Sequence, residues 1–575
     1  MFHVRGLAGY LFLSLGGLLS SPSQADSVGT PLWQAPVLNE VNAYARVIEL
    51  QHAGDQNGKL VATWEHWYTT APGSTTLEDF PAEIIIRESG DGGKSWSTLA
   101  TINETSGVSY SAFWQPALFE FPHRLGNYPA GTLLLVGNLV PADISSTNFF
   151  AWRSQDHGET WDPVGIWQQG SIGKGIWEPF LFLDNEGRLV ALFSDERDHE
   201  NHSQMVVHVV SEDGGDTWGD VVRDIASPNK EDRAGMATVA KMDNGEYIMS
   251  YELCGFPNCP SRWKTSTDGV NWNANDLGTQ VSTSDSLYAG ASPYIVWDSP
   301  AKQLVMATRE IWYNAAADEI APEQRRAVFT NKNYGRGAWL WSPSPWRVSE
   351  DTANCSSANY SPNLLPIADG IIRYTAPTSM DSARPCSEAT GEAPIGILPY
   401  EADFRTKGDA GWIDLEGSWS VLGDQYSFAS VSDNDAIALT GSSGWSDYTI
   451  EANVKVSDSH SQAGLAARVS ASTTAPGAWK GYSAVIDAGS GKVTLFQHDD
   501  SITVLHSEDH FLGILEDKWY YMTIAVDSQS ITVTLCDESG LFNTHFTAEA
   551  DTFPQGMAGL FGNNGSGSFR KVRIL

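Results

Sequence analysis

Apolar residues fall in short, strand-length runs separated by turn residues. A unit made of a turn, usually with glycine, followed by an apolar strand recurs at 57–65, 130–138, 186–194, 244–252, 301–309 and 369–376, as in Asn57-Gly-Lys-Leu-Val-Ala-Thr-Trp-Glu65. Runs this short, bounded by glycine turns, predict strands. The copies lie roughly 55–75 residues apart, which suits four-stranded blades with loops and predicts six of them between about residues 30 and 400.

A second element repeats independently: Ser89-Gly-Asp91-Gly-Gly93-Lys-Ser95-Trp96, then Ser154 to Trp161, then Ser211 to Trp218, with a shortened copy from Ser266 to Trp272. In a hairpin turn the aspartate oxygens accept backbone N–H groups, glycine supplies positive φ and tryptophan packs back on the sheet. After Cys386 neither repeat returns. From about Asp403 the strands alternate with period two, as in Tyr448-Thr-Ile-Glu-Ala-Asn-Val-Lys-Val456, which predicts one antiparallel β-sandwich of jelly-roll type. The expected fold is therefore all-β, a six-bladed β-propeller over 26–400 followed by a sandwich over 401–575.

Composition agrees with a turn-rich β protein: 41% hydrophobic and 18% charged residues, with 53 Gly, 27 Pro and 22 Trp. A net charge of −35 leaves no basic stripe to neutralise a phosphate backbone, so nucleic acid is excluded as a partner and anionic substrates are disfavoured. Residues 1–25 carry Arg5, an apolar run from Gly9 to Leu19 and the small-residue end Ser23-Gln-Ala25, the pattern of a secretory leader. No later run approaches a membrane span, and an exported, monomeric protein is expected. Five cysteines then permit two disulfides: Cys254 with Cys259 across a tight loop, and Cys355 with Cys386, leaving Cys536 over. No cofactor is expected. The acidic loops leave room for a structural calcium, for which no D-x-[DN]-x-[DN]-G run argues.

The loops of all blades gather on one face of a propeller, so reactive groups are expected where inner strands begin and second strands end. Carboxylates stand there: Trp177-Glu178-Pro179 opens one strand and Tyr251-Glu252 closes another. A glycosidase needs one carboxyl protonated to release the leaving oxygen and another ionised to attack. The apolar neighbours of Glu178 suit the acid, and the Cys254–Cys259 loop beside Glu252 suits a rigid nucleophile, with the reverse assignment open.

The Ser-x-Asp-x-Gly-x-[Ser/Thr]-Trp repeats resemble the aspartate boxes of sialidase-like propellers, in which they are structural. The segments around Glu178 and Glu252, with Asp232-Arg-Ala-Gly-Met-Ala-Thr-Val-Ala-Lys241, resemble glycoside hydrolase family 93, the exo-arabinanases. That resemblance implies two catalytic glutamates at Glu178 and Glu252, retention of configuration, an α-1,5-linked L-arabinan substrate attacked from its non-reducing end, and arabinobiose as product. The partner it implies is a polysaccharide or oligosaccharide. The segment Asn359-Tyr360-Ser361-Pro362 resembles the part of sialidases that holds their tyrosine nucleophile; here Tyr360 is expected to hydrogen-bond Glu252 or to contact sugar.

Arg46 occupies the place of the first arginine of the sialidase triad, yet Glu252 takes the second, so a sialic-acid carboxylate would lack its clamp. A sialidase and a non-catalytic glycan-binding propeller are the competing expectations. Asp232 and Arg233 are candidates to line the pocket, and Trp64, Glu65, Trp114, Trp177 and Glu310 are candidates for its rim. The sandwich resembles concanavalin-like and laminin-G-like jelly rolls appended to secreted glycosidases. Of its tryptophans, Trp479 has the loop context expected of an exposed sugar platform, while Trp412, Trp419, Trp445 and Trp519 are mostly expected in the core.

Overall fold

In the computed structural model, residues 29–314, 316, 319–349, 355–368, 370–380, 386–430, 435–470, 479–499, 501–540 and 543–575 are described. The expected leader at 1–25 lies outside them. The protein is all-β: one four-residue α-helix, Phe404–Lys407, and one 3-10 turn, Gly54–Gln56, are its described helices. No helix among the described residues is long and apolar enough to cross a membrane.

The described residues from Gly29 to about Pro399 form antiparallel runs of four strands in a propeller-like arrangement. Four runs are separate sheets, with first strands Ile176–Leu183, Arg233–Lys241, Tyr294–Asp298 and Asn363–Ala368. Two more, opened by Glu40–Glu49 and Ala112–Glu120, are joined through His66↔Phe113 and Trp67↔Ala112 into one eight-stranded sheet. Strand Thr30–Trp33, from the start of the chain, supplies the outer strand of the sheet that ends near Pro394, pairing with Cys386–Pro394. The first strands of all these runs touch one another in a closed ring.

The repeated turns close on their own side chains. Ser89, Ser154 and Ser211 each accept a glycine N–H, from Gly93, Gly158 and Gly215, all at 2.8 Å. Asp91, Asp156 and Asp213 accept the N–H and hydroxyl of Ser95, Thr160 and Thr217. In the shortened copy Asn271 takes the place of that hydroxyl residue and donates to Asp268 at 2.6 Å. These oxygens are occupied within the turn, which makes the turns structural.

Residues beyond Tyr400 form an eight-stranded and a seven-stranded sheet that share one apolar core. Strand Tyr448–Val456 buries every second residue, as its period-two pattern predicts. The tryptophan expected at the surface is not there: Trp479 is 4% exposed, stacks on His498 at 3.9 Å and donates to Asp435. Its loop position misled because the buried His498 face and the Asp435 acceptor together satisfy an indole inside the fold. Trp519 is instead the partly exposed one, lying under Arg570 at 4.2 Å.

Contacts between the two parts are extensive. The outer face of the seven-stranded sheet, including Ile413, Leu439, Val469 and Met557, shares one apolar cluster with Leu304, Phe329 and Trp341 of the run opened by Tyr294–Asp298 and with Leu287 just before it. Ser443 and Trp341 exchange two hydrogen bonds of 3.0 Å. Arg326, 9% exposed, donates to both the carbonyl and the carboxylate of Asp414.

Candidate active site

Near the start of each first strand the chain turns through a positive φ at a non-glycine residue: Tyr44 (55°), Gln115 (54°), Glu178 (54°), Met236 (55°), Ser292 (45°) and Ser361 (52°). At the first four the strand register slips across that residue, as a β-bulge requires. Such backbone costs about 1–3 kcal/mol per residue and re-aims the side chain. The six residues stand in or just before the first strands of the closed ring. A narrow pocket there is lined by Tyr44, Arg46, Gln115, Glu178, Met236 and Ser361, among others.

The second strand of each run answers this bulge. Glu65, Asn138, Ser194 and Glu252 pair with the residue just before it, namely Ala43, Trp114, Trp177 and Gly235. Three of the four then reach the bulge of the next run: Glu65 accepts the Gln115 N–H at 2.9 Å, Ser194 the Met236 N–H at 3.2 Å, and Glu252 the Ser292 N–H at 2.8 Å. Glu252 therefore stands at the end of strand Tyr247–Cys254 with one oxygen fixed, and the Cys254–Cys259 disulfide closes the loop beside it.

Burial, reinforced by the charge of Glu252, pushes the Glu178 carboxyl up to about 8, against the pull of Ser194 and Arg233. Burial also raises Glu252, but the Ser292 N–H, Arg309 and Arg233 all favour its charged form. Of the two, Glu178 is thus the better proton donor and Glu252 the better anion. Tyr360 lies close to both: burial and the charges of Glu252 and Glu178 raise its hydroxyl. Its ring meets Tyr44 edge-on at 5.2 Å and lies under Arg309 at 4.8 Å.

The other expected residues divide. Arg46 lines the pocket with its guanidinium bound to Ser361, at 2.8 Å to Oγ and 3.1 Å to the carbonyl. Trp114 stands between Trp67 at 5.7 Å and Trp177 at 6.4 Å, a row of three partly exposed indoles beside Glu178. Arg233 is paired with Glu196, whose ionisation burial opposes and Arg233, the Gly175 N–H and the Trp177 indole outweigh. Glu310 is close enough for its charge to raise Glu252. Three candidates are committed elsewhere. Asp232 is buried with its oxygens taken by Ser227 and Asn229 of its own loop. Glu65 is 6% exposed, beneath the rim on which it was expected. Trp64 is core and donates to Asn42.

Reading the sequence missed Gln115, Trp67 and Glu196. Gln115 carried a usable signal, since Trp114-Gln115-Pro116 copies Trp177-Glu178-Pro179, and proline also follows Ser292 and Ser361. Cys355 and Cys386 are bonded, as are Cys254 and Cys259. Among the described residues one group of potential metal ligands lies within reach of a common ion, Glu252 with Cys254 and Cys259, and the disulfide removes both sulfurs from coordination.

The BNR repeat-like domain family matches residues 67–252. No curated protein matches the chain. Among solved structures the chain is similar to the α-L-arabinofuranosidase of Fusarium graminearum, a point variant in complex with an iminosugar inhibitor, at 27% identity over 64% of this chain and 97% of that one, with a TM-score of 0.52. It is similar to the family 93 α-L-arabinofuranosidase of the same organism with arabinobiose, at 27% identity over 63% and 96% and a TM-score of 0.50. It is also similar to the α-L-arabinanase of Penicillium chrysogenum complexed with arabinobiose, at 27% identity over 64% and 98% and a TM-score of 0.51. The chain has a sialidase-like fold and is related to the glycosidases of glycoside hydrolase family 93.

Proposed function

We propose that the chain is an exported, retaining exo-glycosidase that cleaves α-1,5-linked L-arabinan from the non-reducing end and releases arabinobiose. In this reading residues 1–25 are the leader, 26–400 a six-bladed propeller marked by aspartate boxes, and 401–575 a jelly-roll accessory domain that binds carbohydrate. Supporting the six blades are six first strands in a closed ring, each with a non-glycine residue of positive φ near its start.

The observation that carries the reading is the pair Glu178 and Glu252, two buried carboxyls that sense each other, Glu178 bonded to Gln115 and Glu252 fixed by the Ser292 N–H with Arg309 and Arg233 favouring its charged form. Glu178 gives its proton to the glycosidic oxygen as that bond to the anomeric carbon breaks. Glu252, held by Ser292, attacks the anomeric carbon and forms a glycosyl ester. Glu178, now ionised, takes a proton from water, whose oxygen attacks the same carbon and frees Glu252. Tyr360 contacts Glu252, while Arg46 and the indoles of Trp114 and Trp177 line the sugar path. Arg46 is the one arginine among the described lining residues of the pocket, which favours a neutral sugar over a sialoside.

Products from linear arabinan and from a sialoside separate the readings. Arabinobiose is expected. Free sialic acid would favour a sialidase, and glycan binding without turnover would favour a non-catalytic propeller.

A further inference from the structure

We propose that Glu65, acting through Gln115, is a positioning residue that holds the Glu178 carboxyl in place and sets the pH at which it gives up its proton. The proposal rests on the reading of Glu178 as the acid and adds a residue too deeply buried to touch sugar.

Gln115 is bonded to Glu178 twice. Its Nε2 donates to Glu178 Oε1 at 3.3 Å, and its Oε1 accepts the Glu178 backbone N–H at 3.2 Å. Asn138 keeps that amide from flipping, since its Nδ2 donates to Gln115 Oε1 at 3.4 Å and to the Ile176 carbonyl at 2.8 Å. The orientation of Gln115 then depends on its own strained backbone, and Glu65 Oε2 holds the N–H of that residue at 2.9 Å. A continuous line therefore runs from Glu65 through Gln115 to Glu178 Oε1.

Geometry also makes the two carboxyls electrostatic neighbours. Glu65 faces Glu178, Arg46, Glu388, Tyr44 and Tyr360. Glu178 faces Glu252, Arg233, Tyr44, Tyr360 and Glu65. Burial pushes both carboxyls up to about 8, and the charge of Glu178 raises Glu65 further; an interaction between two charges acts on both partners. Two such groups lose their protons in coupled steps. Replacing Glu65 with its neutral isostere removes the charge that delays the second step, so Glu178 ionises at lower pH.

The test is the pH profile of kcat/KM on an arabinan oligosaccharide for the wild type, Glu65→Gln and Gln115→Met. In Glu65→Gln the alkaline limb should move to lower pH by about one unit, the coupling of interacting carboxyls, with KM at the optimum unchanged. Gln115→Met, close in volume but without the amide, should lower kcat about tenfold or more with KM unchanged, as expected when an acid is displaced. A Glu65→Gln limb superimposable on the wild type overturns the proposal. If that variant does not fold, an unchanged kcat in Gln115→Met overturns it instead. The catalytic reading fails separately, if the wild type does not cleave the oligosaccharide or Glu178→Gln retains full activity.

Discussion

Glu252 accepts the backbone N–H of Ser292 at 2.8 Å, tying the second strand of one sheet to the start of the next. Ser194, at the equivalent place one sheet earlier, makes the same kind of bond with a hydroxyl. A hydroxyl is therefore enough for the architecture, and a second carboxylate oxygen at position 252 exceeds what the bond requires. Glu178→Gln and Glu252→Gln should each cut turnover on the order of 10²–10⁴-fold or more while thermal midpoints stay near the wild type. In the acid/base variant azide should attack the anomeric carbon of the glycosyl ester, releasing Glu252 and giving a glycosyl azide of retained configuration; such an azide formed by Glu252→Gln and not by Glu178→Gln would reverse the two roles. Loss of fold in both variants would make the pair structural.

Glu388 gives a pH signature independent of catalysis. Its side chain is 0% exposed, neither oxygen has a hydrogen-bond partner among the described residues, and burial raises its carboxyl well above the ordinary 4.5. A carboxyl with a raised folded-state value contributes fully below its unfolded value, and that contribution is lost as pH rises toward the folded value. Glu388→Gln should match the wild type near pH 4 and exceed it at pH 8. The gain should grow by about 1.4 kcal/mol for each pH unit above the unfolded value until the folded value is reached. Denaturant midpoints at the two pH values measure it, and equal differences at both would contradict the assignment.

The indole row of Trp67, Trp114 and Trp177 is placed to stack on sugar beside Glu178. Trp114→Ala should raise KM for an arabinan oligosaccharide about 3–10-fold, matching ~0.5–1.5 kcal/mol for an aromatic contact, with a smaller effect on kcat. An unchanged KM would make Trp114 a packing residue for Trp177.

Much of the propeller was legible because its repeats are local. Each glycine turn and each Ser-x-Asp-x-Gly segment specifies its own hairpin, and Glu178 and Glu252 occupy strand ends that any such fold turns to one face. Gln115 and Glu65 were not legible as a pair, because their bond crosses 50 positions and depends on a strained backbone conformation. Trp479 failed for a related reason: His498 and Asp435, which receive its ring, are distant in sequence and carry no periodic signal. The seam between the two parts was hidden because its apolar residues lie on strands that each read as ordinary core.

That seam bears on truncation. A chain ending after Pro399 would expose Leu287 and, in the run that follows Ser292, Leu304, Phe329 and Trp341, and would leave Arg326 without Asp414. Such a chain should aggregate or unfold well below the full protein and should lose activity on short oligosaccharides as well as on polymer. Scanning calorimetry and oligosaccharide turnover check this. A stable truncated chain with full small-substrate activity would show the sandwich to be a tethered module.

A double displacement by Glu178 and Glu252 leaves its mark on the newly formed reducing end, which proton NMR reads during the first turnovers of linear α-1,5-arabinan. The α-anomer of arabinobiose should appear first and equilibrate later to the β-anomer. A β-anomer appearing first, or no cleavage of arabinan by the intact chain, would contradict it.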